Sequence, residues 1–248
     1  MRRKALYGLL AFGAYGIFLL VTAPARVVLP KFTRGLPAFI RVAHIHGTIW
    51  DGRLTLLVST GAGADPLSRV RFRFTPWTLI EGRAGYDLHL NGTVQGHMRV
   101  AFGSKGQAFS DLALTMPAGT LAAWVPAAQN FGPGGHLALH ARKLVWGPHP
   151  SGQGALTWSQ AALVGAPVNP LGSYVSRFVL ANQALSYHIH TLTGPLRVTG
   201  RGRYHLARGV LSFSGDVHGR GLRLGGLIQN IGVPDGRGGR RIHFRMPL

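Results

Sequence analysis

The chain has 248 residues, with 27 Lys and Arg against 7 Asp and Glu, and no cysteine. The missing cysteine excludes disulfides, thiolate metal sites and a cysteine nucleophile, and seven scattered acids offer little for paired-carboxylate chemistry. A formal charge of +20 and 36 glycines spread between short runs of Val, Leu, Thr, Tyr and Phe describe a basic protein of short strands and tight turns.

The first element is an uncharged run from Ala5 to Ala23, preceded by Arg2-Arg3-Lys4. At a helical rise of ~1.5 Å per residue it spans roughly 28 Å, close to the ~30 Å hydrocarbon core of a bilayer. A cleaved signal peptide is the rival reading, since Ala23-Pro24-Ala25 is a small-residue pattern. The run is longer than a secretory h-region, and proline fits a cleavage site poorly, so an uncleaved anchor is expected. Arg26, Lys31 and Arg34 follow the run, so basic residues flank both ends. A short tail is easiest to leave inside, which favours a cytoplasmic amino terminus and an outward-facing domain. The expected organisation is tail and transmembrane anchor at 1–25, a Pro-punctuated linker at 26–37 and a β-rich domain at 38–248.

From Ala38 the sequence alternates. Ile40, Val42 and Ile45 lead to a turn at Gly47–Arg53, and Leu54–Ser59 continues as a strand. Gly61–Pro66 reads as loop. Val70, Phe72 and Phe74 face opposite to Arg69, Arg71 and Arg73, the pattern of a sheet with one buried and one wet side. Tyr86–Phe102 reads as a hairpin, with Asn91-Gly92 as a type I′ turn. Phe109–Met116 is a further strand and Pro117–Ala128 a short helix. Strands then follow at His136–Trp146, Ala155–Leu163, Tyr174–Leu180, Ala184–Thr191, Leu196–Leu206 and Val210–His218. Leu222–Ile231 predicts a second short helix, and Arg241–Met246 a last strand. The fold class is mainly β, a curled antiparallel meander with two short helices behind a single N-terminal span.

Catalytic signatures are missing. Gly209-Val210-Leu211-Ser212-Phe213-Ser214-Gly215 has the wrong spacing for a nucleophile elbow, and Gly219-Arg220-Gly221 lacks a dinucleotide turn's third glycine. Histidine is the remaining candidate. His44-x-His46 and His188-x-His190 put paired imidazoles on strand faces, and His136 and His140 make a third pair. With 12 histidines and no carboxylate to complete a set, solvated positions on a wet face are expected, and no metal or cofactor. Trp50, Trp77, Trp124, Trp146 and Trp158 fall at strand ends or on apolar faces, where core filling accounts for them. The basic excess has two standing explanations, anionic lipid headgroups beside the domain or an acidic surrounding. Nucleic acid is set aside, because an exported domain rarely meets it.

Four segments, in order, resemble the type II secretion system protein N (GspN) family. They are Gly47-Thr48-Ile49-Trp50-Asp51-Gly52-Arg53; Phe74-Thr75-Pro76-Trp77-Thr78-Leu79-Ile80-Glu81-Gly82-Arg83; Gly154-Ala155-Leu156-Thr157-Trp158 with Leu171-Gly172-Ser173-Tyr174; and Gly215, the expected helix Leu222–Ile231 and Gly232-Val233-Pro234-Asp235-Gly236-Arg237-Gly238-Gly239-Arg240 before the terminal strand. The sequence departs from the family pattern in Pro76 before Trp77 and in its Arg- and His-rich surface. The resemblance implies an accessory inner-membrane component of an export machine, its domain in the periplasm of a Gram-negative cell, and no catalytic residues. It implies docking to other secretion components, the inner-membrane platform and the secretin, with no small-molecule substrate. Gly47, Trp50, Gly52, Trp77, Gly82, Trp158, Gly172, Gly232, Pro234, Asp235 and Gly236 are the motif positions expected to serve partner contact or structure. An AsmA-like lipid-handling or envelope-assembly module, a curled sheet holding an acyl chain, is the alternative.

Overall fold

A computed structural model describes residues 22–26, 40–60, 63–104, 106–121, 131–219, 232–236 and 238–247. They build one antiparallel sheet of 14 strands. The first seven are β1 (Ile40–Gly47), β2 (Asp51–Thr60), β3 (Gly63–Thr75), β4 (Ala84–Gly92), β5 (Gln95–Gly103), β6 (Gly106–Pro117) and β7 (Gly134–Trp146). The rest are β8 (Ser151–Ala162), β9 (Gly172–Ala181), β10 (Ala184–Thr193), β11 (Leu196–His205), β12 (Val210–Gly219), β13 (Val233–Pro234) and β14 (Arg240–Pro247). Spatial order follows chain order, except that β14 lies between β12 and β13. Among the described residues no ladder joins β1 to the opposite edge, so the sheet is open. At ~4.8 Å per strand it extends about 60 Å across the strands.

Strict alternation gives the sheet two unlike faces. Leu54, Val70 and Leu90 lie opposite one another across β2, β3 and β4, as do Phe74, Tyr86 and Val100 across β3, β4 and β5. Val70 and Phe72 are buried with Leu54 and Ala25, while Arg71 and Arg73 face solvent, as the alternation predicts. A second buried cluster joins Val58, Leu67 and Val94.

From β1 to β12 the meander is sequential, so connections from odd to even strands fall on one rim and those from even to odd strands on the other; β14 runs antiparallel to β12, which puts the β13–β14 turn on the second rim as well. The near rim carries the turns at 48–50, 76–83, 104–105, 147–150, 182–183 and 206–209. The far rim carries the connection at 163–171 and the strand ends at Pro117, Gly134 and Gly219. Thr22–Arg26 meets the near rim: Ile49 N donates to Ala23 O at 3.0 Å, and Pro24 bridges to Thr48.

Several expectations change. Gly61–Pro66 is not loop throughout, since β3 starts at Gly63 and pairs with β2; Pro66, which lacks a ladder donor, sits at a bulge opposite Leu57. Asn91-Gly92 is not the turn of its hairpin. Both residues extend β4 against Arg69 and Ser68 of β3, and the chain reverses at Thr93-Val94. The captor is β3: Thr93 N and Val94 N both donate to Leu67 O (2.9 and 3.3 Å), and buried Ser68 Oγ donates to Val94 O at 2.8 Å. Of the helix expected at 117–128, the described part is a single 3-10 turn at Ala118–Thr120; positions 122–130 lie outside the described residues, as do the expected helix at 222–231 and residues 1–21 of the expected anchor. Among the described residues no helix is long and apolar enough to cross a membrane.

Candidate interaction surfaces

The first motif shapes the near rim. Gly47 ends β1 at φ +93°, a left-handed conformation that favours glycine, and Thr48 N closes the turn onto Asp51 O at 3.0 Å. Thr48 Oγ1 accepts from Trp50 N (3.2 Å) and Asp51 N (3.3 Å). Gly52 lies under the Phe72 ring, where a Cβ would also meet His46 O at 2.5 Å. Half-buried Trp50 packs edge-on against Phe74 at 4.8 Å, and Phe74 meets Tyr86 at 5.3 Å. The motif is therefore a hairpin end that fixes where Thr22–Arg26 enters the domain.

The second motif stands beside it. Pro76–Glu81 forms a 3-10 turn, with Pro76 supplying a helix-compatible φ at its start and Gly82 closing it in the left-handed region (φ 68°). Thr78 is its rivet: its Oγ1 donates to Thr75 O at 2.7 Å and accepts from Gly85 N at 2.8 Å. The turn holds three apolar side chains in solvent: Trp77 at 76% exposure, Ile80 at 83% and Leu79 at 55%. Exposed Trp146, at the end of β7, and Met246, near the end of β14, lie on the same rim. Core filling thus accounts for half-buried Trp50 and Trp158 but fails for Trp77 and Trp146; Trp124 lies outside the described residues.

Behind the near rim the polar face carries a cationic band. One row across the strands reads Asp51, Arg73, Asp87 and Arg99, then continues through Lys143 to Arg203 and Arg245. A second row holds Arg53, Arg71, His89, His97, and further on Arg177, His188 and Arg201. In β2–β6 carboxylates balance the band. Asp51 pairs with Arg71 (3.5 Å) and Arg73 (3.4 Å), and Arg99 bridges Asp87 (2.9 Å) and Asp111 (3.4 Å). The hydrogen bond to Asp87 and that carboxylate's charge push the Arg99 guanidinium further up. In β9–β14 the balance changes: Arg203 has Ser186 as partner at 3.3 Å, and Asp216 is engaged by Arg241 at 3.2 Å. A shallow depression of about 670 Å³ lies here, lined by Arg201, Arg203, Arg245, His188, His243 and serines.

The remaining motif residues gather at the far rim. Trp158 Nε1 donates to Gly134 O at 2.8 Å. Gly172 lets β9 approach β10, since a Cβ there would meet Thr193 O at 2.5 Å. Neighbouring Tyr174 donates its hydroxyl to Leu196 O at 3.0 Å, and burial pushes its pKa to about 12. Asp235 shapes the β13–β14 turn, accepting from Gly239 N at 2.9 Å and from His218 Nε2 at 2.9 Å. Gly232 and Gly236 sit at φ 63° and 75° on either side of Pro234 and Asp235. The motifs therefore fall into two groups at opposite rims. His188 and His190 share the polar face, whereas a bulge with His44 at φ 50° disturbs the His44/His46 pair. His89 and His97, which the spacing rules do not reveal, lie directly opposite each other with ring centroids 6.4 Å apart. Among the described residues no three His, Asp or Glu side chains gather as a metal site.

Residues 38–243 match the family model described as type II secretion system (T2SS), protein N. The chain belongs to the type II secretion system protein N family. As a protein N it is a component of the type II secretion system, a protein-transport machine, and family membership implies interaction with other components of that system. No curated protein and no solved structure matches it. Within the four segments that carry the likeness, Gly47, Gly52, Gly82, Trp158, Gly172, Gly232 and Gly236 shape turns, close approaches or packing. The exposed trio on the 76–81 turn is the exception, and its signal was a tryptophan next to two aliphatic residues in a segment without strand alternation.

Proposed function

We propose that the protein is an accessory, single-pass inner-membrane component of the type II secretion pathway whose β domain lies in the periplasm and docks other secretion components. Membership of the protein N family carries this reading. The open sheet supports it, because unpaired strand edges are natural sites for strand addition. Along β14, β13 pairs with only Arg240 and Arg241. The far rim adds exposed Phe131, Val164, Leu192 and Val233, apolar surface that a partner could cover. The chain acts by binding; the family is that of a secretion component, and no group of residues here is assigned a chemical step.

The test is in-cell photo-crosslinking from positions 131, 164 and 233, read by mass spectrometry. Adducts to platform or secretin proteins are expected, and to be lost when a proline replaces Phe244 at the β14 edge in a folded variant. Far-rim positions that never crosslink to a secretion component would overturn the docking role. Phospholipid adducts alone would favour the AsmA-like alternative.

A further inference from the structure

We infer that the near rim is itself a membrane-docking surface, which seats Trp77, Leu79, Ile80 and Trp146 in the interfacial layer of an anionic bilayer and sets the arginine band against its headgroup phosphates. The inference stands apart from the docking of secretion components, which was placed at the far rim and the β14 edge.

Three independent observations converge on this rim. The first is apolar: the 76–81 turn presents a tryptophan and two aliphatic side chains outward on a backbone fixed by both hydrogen bonds of Thr78 and by the Arg83 N bond to Thr78 O at 3.0 Å. A turn this constrained presents its side chains at little ordering cost, and Trp beside Leu or Ile is the mixture that settles at a bilayer interface. The second is charge. Arg73, Lys143, Arg203 and Arg245 each lie two or three residues from the near-rim ends of β3, β7, β11 and β14, roughly 7–10 Å along the strand. That places cations at headgroup depth when the rim touches the acyl boundary. The third is position. The uncharged run Ala5–Ala23 ends inside the segment Thr22–Arg26, which is bonded to the near rim through Ala23 and Pro24.

A protein partner fits this surface less well. The cationic band consists of arginines and histidines separated by Ser186, Ser212 and Ser214 over a shallow depression whose apolar lining is Val210 and Phe213, whereas stable protein contacts centre on well-packed, desolvated pockets. Phosphates need only the charge and the donors.

The chain's lack of cysteine makes the test clean. Full-length protein carrying Ile80→Cys, Trp146→Cys or Val164→Cys is spin-labelled and reconstituted in phosphatidylglycerol vesicles. Labels at 80 and 146 are expected to collide with lipid-dissolved oxygen and to escape an aqueous nickel reagent, while the far-rim label at 164 does the reverse. Replacing phosphatidylglycerol by phosphatidylcholine, or combining Arg203→Gln with Arg245→Gln, is expected to shift the near-rim labels back toward water. Near-rim labels as accessible to nickel as the label at 164 would overturn the inference. So would protection that disappears on dilution of the protein in lipid, which would mean contact between copies.

Discussion

At the scale of single residues the glycines and one tyrosine decide most. Gly52 and Gly172 are present because another atom occupies the space a Cβ would need, a ring and a carbonyl at one, a neighbouring strand's carbonyl at the other. Such positions look like turn residues in a sequence, and the close approach that demands them comes from a strand the local pattern does not name. Tyr174 gives a titration that can be followed. Its phenol is lifted to about 12 by burial, whereas in the unfolded chain it ionises near its ordinary value of ~10. Its contribution to stability is therefore complete below about pH 10 and declines as pH rises from there towards about 12. Tyr174→Phe is expected to flatten that part of the alkaline stability curve while losing the bond to Leu196 O, as urea midpoints measured across that window would show. An unchanged alkaline slope would mean that the phenol is wetter than its burial implies.

At the scale of elements, strand periodicity was legible and turn placement was not. Val70 to Phe74 alternated cleanly, and Val70 and Phe72 are buried in β3 as that pattern predicts. The type I′ signal at Asn91-Gly92 was overridden because Leu67 O and Ser68 capture the following two residues. Among the described residues a two-residue turn whose central residues both take positive φ is found instead at Asn182-Gln183, at 50° and 59°, a pair with a weaker signature. The 3-10 turn at 76–81 escaped the pattern because it is too short to have a period. Its construction separates support from display. Thr78→Val removes both hydroxyl bonds and is expected to cost about 1–2 kcal/mol and to speed hydrogen exchange at the Gly85 amide. Trp77→Ser, at an exposed position, is expected to leave stability within about 0.5 kcal/mol. A Trp77→Ser protein that unfolds early would show that the side chain supports the turn.

At the scale of the whole molecule the sheet is nearly one-dimensional, since each strand from β1 to β11 is laddered only to its chain neighbours. Stability should then be a property of neighbourhoods. Phe213 is buried between Tyr187, stacked at 6.4 Å, and Phe244 at 5.5 Å. Phe213→Ala is expected to cost about 3–5 kcal/mol, with amide protection lost in β10–β14 and retained in β2–β5. Uniform loss of protection would instead describe a single cooperative unit. The mainly β class, the meander and the family were all legible in the sequence. The two-rim division was not, because it depends on counting every connection correctly, and misplacing one turn obscures which residues share an end.

That count has an arithmetic consequence. In a sequential antiparallel meander, the direction of every later strand depends on whether the number of strands before it is odd or even. Adding or removing a hairpin changes the width of the sheet by two and leaves Trp77, Trp146, Arg203 and Arg245 at one end. Losing a single strand between β4 and β7 would reverse everything after it, sending Trp146 and the later arginines to the opposite end from Trp77. A chain built this way can vary in length only in steps of two strands if its two ends are to keep different tasks.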